Sequence, residues 1–178
     1  MKITVVGRGN VGGGLAKRWQ AAGHDVEALG RDGGDASGAD VVVVALPSGS
    51  IAEGLGTVTG LEGKPVIDTT NAFHGRDEQH ESLAHQVKSI VGGPTAKSFN
   101  INFAVLYDKL DEQSTRPGNF YVAEDGVREV TEQLIRDAGY EPISVGGLEN
   151  ARLLEDQIDF AMAISQAGLG QHFYHYWS

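Results

Sequence analysis

Gly7-Arg8-Gly9-Asn10-Val11-Gly12 follows directly on the short apolar run Ile3-Thr4-Val5-Val6 and leads into Gly13-Gly14-Leu15-Ala16, the start of a helix-like segment. A Gly-x-Gly-x-x-Gly spacing placed between a strand and a helix is suited to gripping the phosphates of a dinucleotide. Gly7 permits the tight turn out of the strand, Gly9 lets the backbone approach a pyrophosphate, and Gly12 lets the helix pack on the sheet. The N–H groups at the helix start face the anion. Without those flanks the pattern would be an ordinary glycine-rich loop. The next apolar run, Asp25-Val26-Glu27-Ala28-Leu29, ends in Gly30-Arg31. A dinucleotide without a ribose 2'-phosphate usually meets a carboxylate at that corner, whereas a guanidinium can hold a 2'-phosphate with paired hydrogen bonds. Arg31 therefore favours NADP(H) over NAD(H); the alternative is a solvated turn arginine partnered by Asp32 or Asp35.

Other residues with chemical potential are less organised. Pro47-Ser48-Gly49-Ser50 follows the third apolar run but lacks the glycine before the serine of a nucleophile elbow, so Ser48 reads as a cofactor contact. Asn71 and Asn100 each follow an apolar run, where an asparagine could bond a nicotinamide amide or ribose, or cap a turn. His80 and His85, taken as helical, are five residues apart and so point roughly 140° apart, which rules out a shared metal. His172 and His175 would share a helical face, but no third ligand accompanies them, and no metal site is assigned. No Tyr is followed four residues later by Lys, the proton-transfer pair of short-chain dehydrogenases. No catalytic acid or base stands out.

These residues need a scaffold. Apolar runs alternate with helix-like segments, the pattern of an α/β fold with a mostly parallel, doubly wound sheet. Strands are expected near 3–6, 26–29, 41–45, 66–68, 95–99, 119–122 and 142–145. Helices are expected at 11–22, 50–58, 78–90, 125–138 and 148–171, with 110–118 as a surface loop. Val41-Val42-Val43-Val44 is apolar at every position, as a central strand covered on both faces requires. A length of 178 residues suits one domain. The C-terminal segment 148–178 should form helical elements, and its end, His172-Phe173-Tyr174-His175-Tyr176-Trp177, could be core, a substrate wall or a subunit interface.

The net charge of −10 argues against general affinity for nucleic acid or anionic membranes, so an anionic ligand must be gripped locally. The absence of cysteine excludes disulfides, iron–sulfur ligation and thiolate nucleophiles. The N-terminus reads as strand and glycine loop rather than a signal peptide, and the longest apolar run, Val41 to Leu46, is far too short to span a membrane. A cytoplasmic protein is expected.

Read in order, Gly7-Arg8-Gly9-Asn10-Val11-Gly12, Gly30-Arg31, Val44-Ala45-Leu46-Pro47, Ile67-Asp68-Thr69-Thr70-Asn71, Ala96-Lys97-Ser98-Phe99-Asn100, Leu134 to Tyr140 and Gly146 to Glu155 resemble the NADP oxidoreductases that act on coenzyme F-420, a deazaflavin. The resemblance covers nearly the whole chain. It implies a Rossmann-like core, C-terminal elements closing a cleft over the nicotinamide, and direct hydride transfer between two ring systems, which needs no side-chain acid or base. By motif position, Gly7, Arg8, Gly9, Asn10 and Val11 would cradle the pyrophosphate and Arg31 the 2'-phosphate. Leu46, Pro47 and Ser48 would border the nicotinamide ribose, with Asn71, Phe99 and Asn100 facing the ring or the second substrate. The family resemblance and the aromatic tail both point to a homodimer. Two departures stand out: Gly30 replaces the usual serine, and Ala72-Phe73-His74 follows Asn71 where a proline is usual.

Two other readings compete. Lys97 and Asn100 could be the proton-donating pair of a hydroxyacid or imine reductase, although Lys97 lies inside an expected strand and the large helical domain of those enzymes is missing. A non-catalytic NADP(H) sensor would also carry the nucleotide site.

Overall fold

Period-two alternation in the chain's most apolar run sets the two faces of the central sheet. In the computed structural model, which describes residues 1–73 and 75–176, β4 (Val41–Val44) sends Val41 and Val43 into one core and Val42 and Val44 into another. All four are fully buried.

Around β4 run β1 (Lys2–Val6), β2 (Asp25–Leu29), β6 (Val66–Asp68), β7 (Thr95–Ser98), β8 (Gly118–Ala123) and β9 (Glu141–Ser144). They form one seven-stranded sheet in the order β2-β1-β4-β6-β7-β8-β9. The first five are parallel; β8 runs antiparallel to β7, with Ala96 opposite Ala123, and β9 runs parallel to β8. The two-residue strands β3 (Gly34–Asp35) and β5 (Val58–Thr59) pair separately. They escape sequence reading because two residues carry no periodicity.

Helices α1 (Asn10–Ala21) and α4 (Asp125–Asp137) cover one face, where Leu15, Trp19, Leu134 and Ile135 meet Ile3, Val5 and Ile67. The buried indole of Trp19 donates to the Leu134 carbonyl at 2.9 Å, tying α1 to α4. Helices α2 (Ile51–Gly56) and α3 (Leu83–Val91) cover the other face through Ile51, Leu55, Leu83 and Val87. Helix α5 (Ala151–Ile164) packs Ala151 and Leu154 against Ala84 and Val122.

Seven expected strands correspond to the seven strands of the sheet, and the outcomes at three helical segments differ from expectation. α3 starts at Leu83 rather than near residue 78, because the Ser82 hydroxyl accepts from the His85 N–H and caps it there. The 110–118 passage is partly helical, because a 3-10 helix over Ala104–Glu112 runs into it. The last helix stops well before residue 171: α5 passes into a π turn at Ser165–Leu169, and positive φ values at Gly168 (117°) and Gly170 (71°) reverse the chain. His172 and His175 thus share no helical face. The following residues run non-helically, with Tyr174 accepting from the Gly118 N–H at 2.6 Å and placing its ring edge-on to Phe120. Trp177 and His74 lie outside the described residues. Among the described residues no helix is long and apolar enough to cross a membrane.

Candidate dinucleotide site

β1 ends at Val6, and the backbone must turn at once to start α1. Gly7 makes that turn with φ 108°, its N–H donating to the Leu29 carbonyl at 3.1 Å. A Cβ there would lie 2.2 Å from the Ala45 carbonyl oxygen, and one on Gly12 would lie 1.9 Å from the Gly7 oxygen. Both positions are closed to any side chain. Gly9 differs: it has φ −73°, and a Cβ would meet nothing within 4 Å. The backbone is therefore open on that side, where a ligand can approach it. Gly9 caps α1 without any side-chain hydrogen bond, no acidic residue occupies the first turn, and Asn10 is exposed. The helix start thus offers N–H groups and positive dipole to an anion. This cradle fits a pyrophosphate.

Gly14, next along the helix, has a packing task, since a Cβ there would lie 2.5 Å from the Tyr107 ring. Val11 is half-buried against the core.

Arg31 follows β2 at the same edge of the sheet and is exposed. Neither of its expected carboxylate partners, Asp32 or Asp35, engages it; Asp35 instead accepts from Ser37 and Thr59. Arg8 is also exposed, and its guanidinium rests on Gly30.

At the carboxyl end of β4 the half-buried Leu46 packs against Gly54 and Gly7. Pro47 is exposed and Ser48 is buried at the start of the 3-10 turn Ser48–Ser50. Asn71 and Asn100 follow β6 and β7, and their side chains meet. Asn71 donates its amide to the Asn100 carbonyl, and Asn100 donates to Asn71 Oδ1 at 3.1 Å and to the Leu154 carbonyl at 2.8 Å. Both amides thus bridge neighbouring strand ends, and Asn100 also holds α5. Asn100 Oδ1 and Thr70 Oγ1 are buried without a partner among the described residues.

Phe99 is placed differently from expectation. It is 1% exposed, with its ring edge-on to Trp19 at 5.7 Å and Tyr140 at 6.3 Å, so it belongs to the core rather than to a substrate face. Its φ of 61°, left-handed and rare for a non-glycine residue, turns the chain as β7 ends.

Sequence reasoning missed a buried ionic network behind this edge. Lys97 Nζ lies 2.6 Å from Asp68 Oδ2 and 3.1 Å from Glu155 Oε1, and donates to the Thr70 carbonyl at 2.9 Å. All three ionic side chains are wholly inaccessible to solvent. Glu155 also accepts from the Leu83 N–H at 2.9 Å and from Arg76 Nε at 2.8 Å. Arg76 also pairs with Asp156, and Asp156 with Arg152, so three cations meet three carboxylates along the network. Burial pushes the Asp68 carboxyl up, against the pull of Lys97. A lysine inside an expected strand was the signal available; its partners were not readable from spacing.

The hollows elsewhere fit a dinucleotide poorly. One of about 340 Å³ lies at the amino end of the sheet, beside Met1, Asp40, Pro65, Asp125 and Glu129, where carboxylates would repel phosphate. Among the described residues no three His, Cys, Asp or Glu side chains gather to hold a metal, and His80 precedes α3 rather than sharing it with His85.

No family model matches the chain, and no curated protein sequence does. Solved structures do. A protein from Arthrobacter sp. FB24, provisionally described as an F420-dependent NADP-reductase, superposes with a TM-score of 0.83 at 21% identity over 100% of both chains. A hypothetical protein from Sinorhizobium meliloti gives 0.64 at 26% identity over 83% of this chain and 84% of that one. A reductive aminase from Aspergillus terreus, solved with NADPH and ethyl levulinate, gives 0.68 at 14% identity; this chain spans only 63% of its length. These likenesses establish an α/β, Rossmann-like fold.

Proposed function

We propose that this chain is an NADP(H)-dependent oxidoreductase that passes a hydride between NADPH and a ring acceptor of the deazaflavin type. The observation that carries the reading is the corner where the Gly7–Gly12 cradle, open only at Gly9, meets Arg31 with no carboxylate engaging it. Gly7, Gly9, Asn10 and Val11 would hold the pyrophosphate, and Arg31 the 2'-phosphate. Leu46, Pro47 and Ser48 border the neighbouring strand end, and the Asn71–Asn100 pair stands at the next two. Bound there, NADPH supplies a hydride; the protein's part is to orient the ring and exclude water.

The deazaflavin acceptor draws on the family resemblance and on the description of the Arthrobacter protein. An imine or hydroxyacid reductase is the second reading, favoured by fold likeness to the reductive aminase. It is opposed by Lys97, whose ammonium is committed to Asp68, Glu155 and the Thr70 carbonyl. The test mixes NADPH with oxidised deazaflavin, flavins, quinones and small imines and follows absorbance. Deazaflavin reduction is expected. Imine turnover alone would favour the second reading, and tight NADPH binding without turnover would favour a sensor.

The same reading includes a cytoplasmic homodimer. The outer face of α5 supports the dimer, with Leu153 60% and Phe160 66% exposed one heptad apart. A concentration-independent monomer mass in solution would remove it.

A further inference from the structure

The chain has eight arginines. Arg18, Arg76, Arg128, Arg136 and Arg152 pair with carboxylates, and Arg116 reaches the Arg136 carbonyl. Arg8 and Arg31 alone make neither a hydrogen bond nor an ion pair among the described residues. In a chain with 24 acidic side chains, two unengaged guanidinium groups are notable, and they flank one corner. β1 and β2 are paired, with Val6 opposite Leu29, so Arg8 and Arg31 each follow the carboxyl end of an adjacent strand.

Contact between the two segments is closer than topology alone requires. A Cβ built on Gly30 would lie 2.8 Å from Arg8 Nε and Cζ and 2.9 Å from Nη2. The Arg8 guanidinium therefore lies flat against a residue that has no side chain to push it away, immediately beside Arg31. Two arginines at neighbouring strand ends, one resting on the residue before the other and neither engaged by a protein carboxylate, suit an anion of charge near −2. A phosphate monoester has that charge at neutral pH, its second pKa being about 6. The cradle at Gly9 already serves a pyrophosphate through backbone groups.

Resting on the NADP(H) reading above, we infer that Arg8 is a second guanidinium for the ribose 2'-phosphate, and that Gly30 is the residue that admits it. Arg8 thereby takes a different role from the pyrophosphate contact that motif position implies. The usual serine at position 30 would contribute a hydroxyl but would displace this guanidinium; here a charged donor replaces a neutral one.

Binding of NADPH, NADH, adenosine 2'-monophosphate and ADP-ribose to the full chain tests this by calorimetry. Arg8→Ala should weaken NADPH and adenosine 2'-monophosphate by about tenfold or more, the usual effect of losing a charge-assisted hydrogen bond, while leaving NADH and ADP-ribose within about twofold. Gly30→Ser should weaken the same two ligands, and adding it to Arg8→Ala should cause little further loss, because both changes remove one interaction. Equal losses for NADH and NADPH would return Arg8 to the pyrophosphate and overturn the inference, as would unchanged binding of all four ligands. A wild-type chain with no preference for NADPH over NADH would instead overturn the cofactor reading itself.

Discussion

The ammonium of Lys97 sits 2.6 Å from the Asp68 carboxylate, on paired positions of β7 and β6, with neither side chain reachable by solvent. Glu155 of α5 closes the network and, through Arg76 and the Leu83 N–H, gathers the loop before α3 and the start of that helix. A lysine that sequence alone offers as a proton donor is instead a structural cation that fastens α5 to the sheet.

Removing that cation should destabilise the protein rather than merely stop its chemistry. Lys97→Met leaves two buried carboxylates short of a partner and should lower the unfolding free energy by about 3–5 kcal/mol, whereas Lys97→Met with Asp68→Leu should recover part of the loss. Urea unfolding measures both. Intact stability with abolished turnover in Lys97→Met would revive a proton-donating role.

The glycines of the loop should separate fold from binding. Gly12→Ala places a Cβ 1.9 Å from the Gly7 oxygen and should destabilise the protein as well as abolish NADPH binding. Gly9→Ala meets nothing in the protein and exchanges only a glycine N-cap for a poorer one, so its unfolding free energy should change by no more than about 1 kcal/mol. Its NADPH affinity should nevertheless fall sharply. Thermal melts with and without NADPH distinguish the two, and a Gly9→Ala protein that binds normally would place the pyrophosphate elsewhere.

Arg31→Ala should act on one cofactor only. Loss of a charge-assisted hydrogen bond to phosphate is worth about 1.5–3 kcal/mol, a weakening of roughly 10- to 150-fold for NADPH with NADH nearly unaffected. Equal losses for both would remove the 2'-phosphate assignment.

Acid should weaken the junction of α3, β7 and α4 through Glu124. Burial raises this carboxyl, but its bonds to Lys88 and to the Thr95 N–H outweigh burial and hold it below the usual range. With the folded-state pKa depressed, the stabilising contribution is present above the unfolded pKa, about 4.3, and is lost as pH falls through the lower folded value. Glu124→Gln should therefore melt lower than wild type above about pH 5, with the gap narrowing towards pH 3. A gap constant with pH would assign the effect to packing.

The order of elements was legible because its signals are local. The four valines of β4, the glycine loop and the strand–helix alternation depend on neighbours in the chain, and the strands they indicated are those of the sheet. Helix ends were less legible: Ser82 stops α3 from starting earlier, and Gly168 and Gly170 turn the tail away from α5. Apolar and aromatic composition there suits a helix, and only the backbone reversal excludes one.

Sequence by itself determined the alternating α/β order, the strand–glycine–helix cradle and the basic corner at Arg31, because each rests on residues a few positions apart. Tertiary structure decided which distant residues meet. It buried Phe99 against Trp19, joined Asn71 to Asn100, enclosed Lys97 between Asp68 and Glu155, and laid Arg8 on Gly30. Those outcomes depend on strand register and helix placement, which bring together side chains whose spacing along the chain carries no periodic signal.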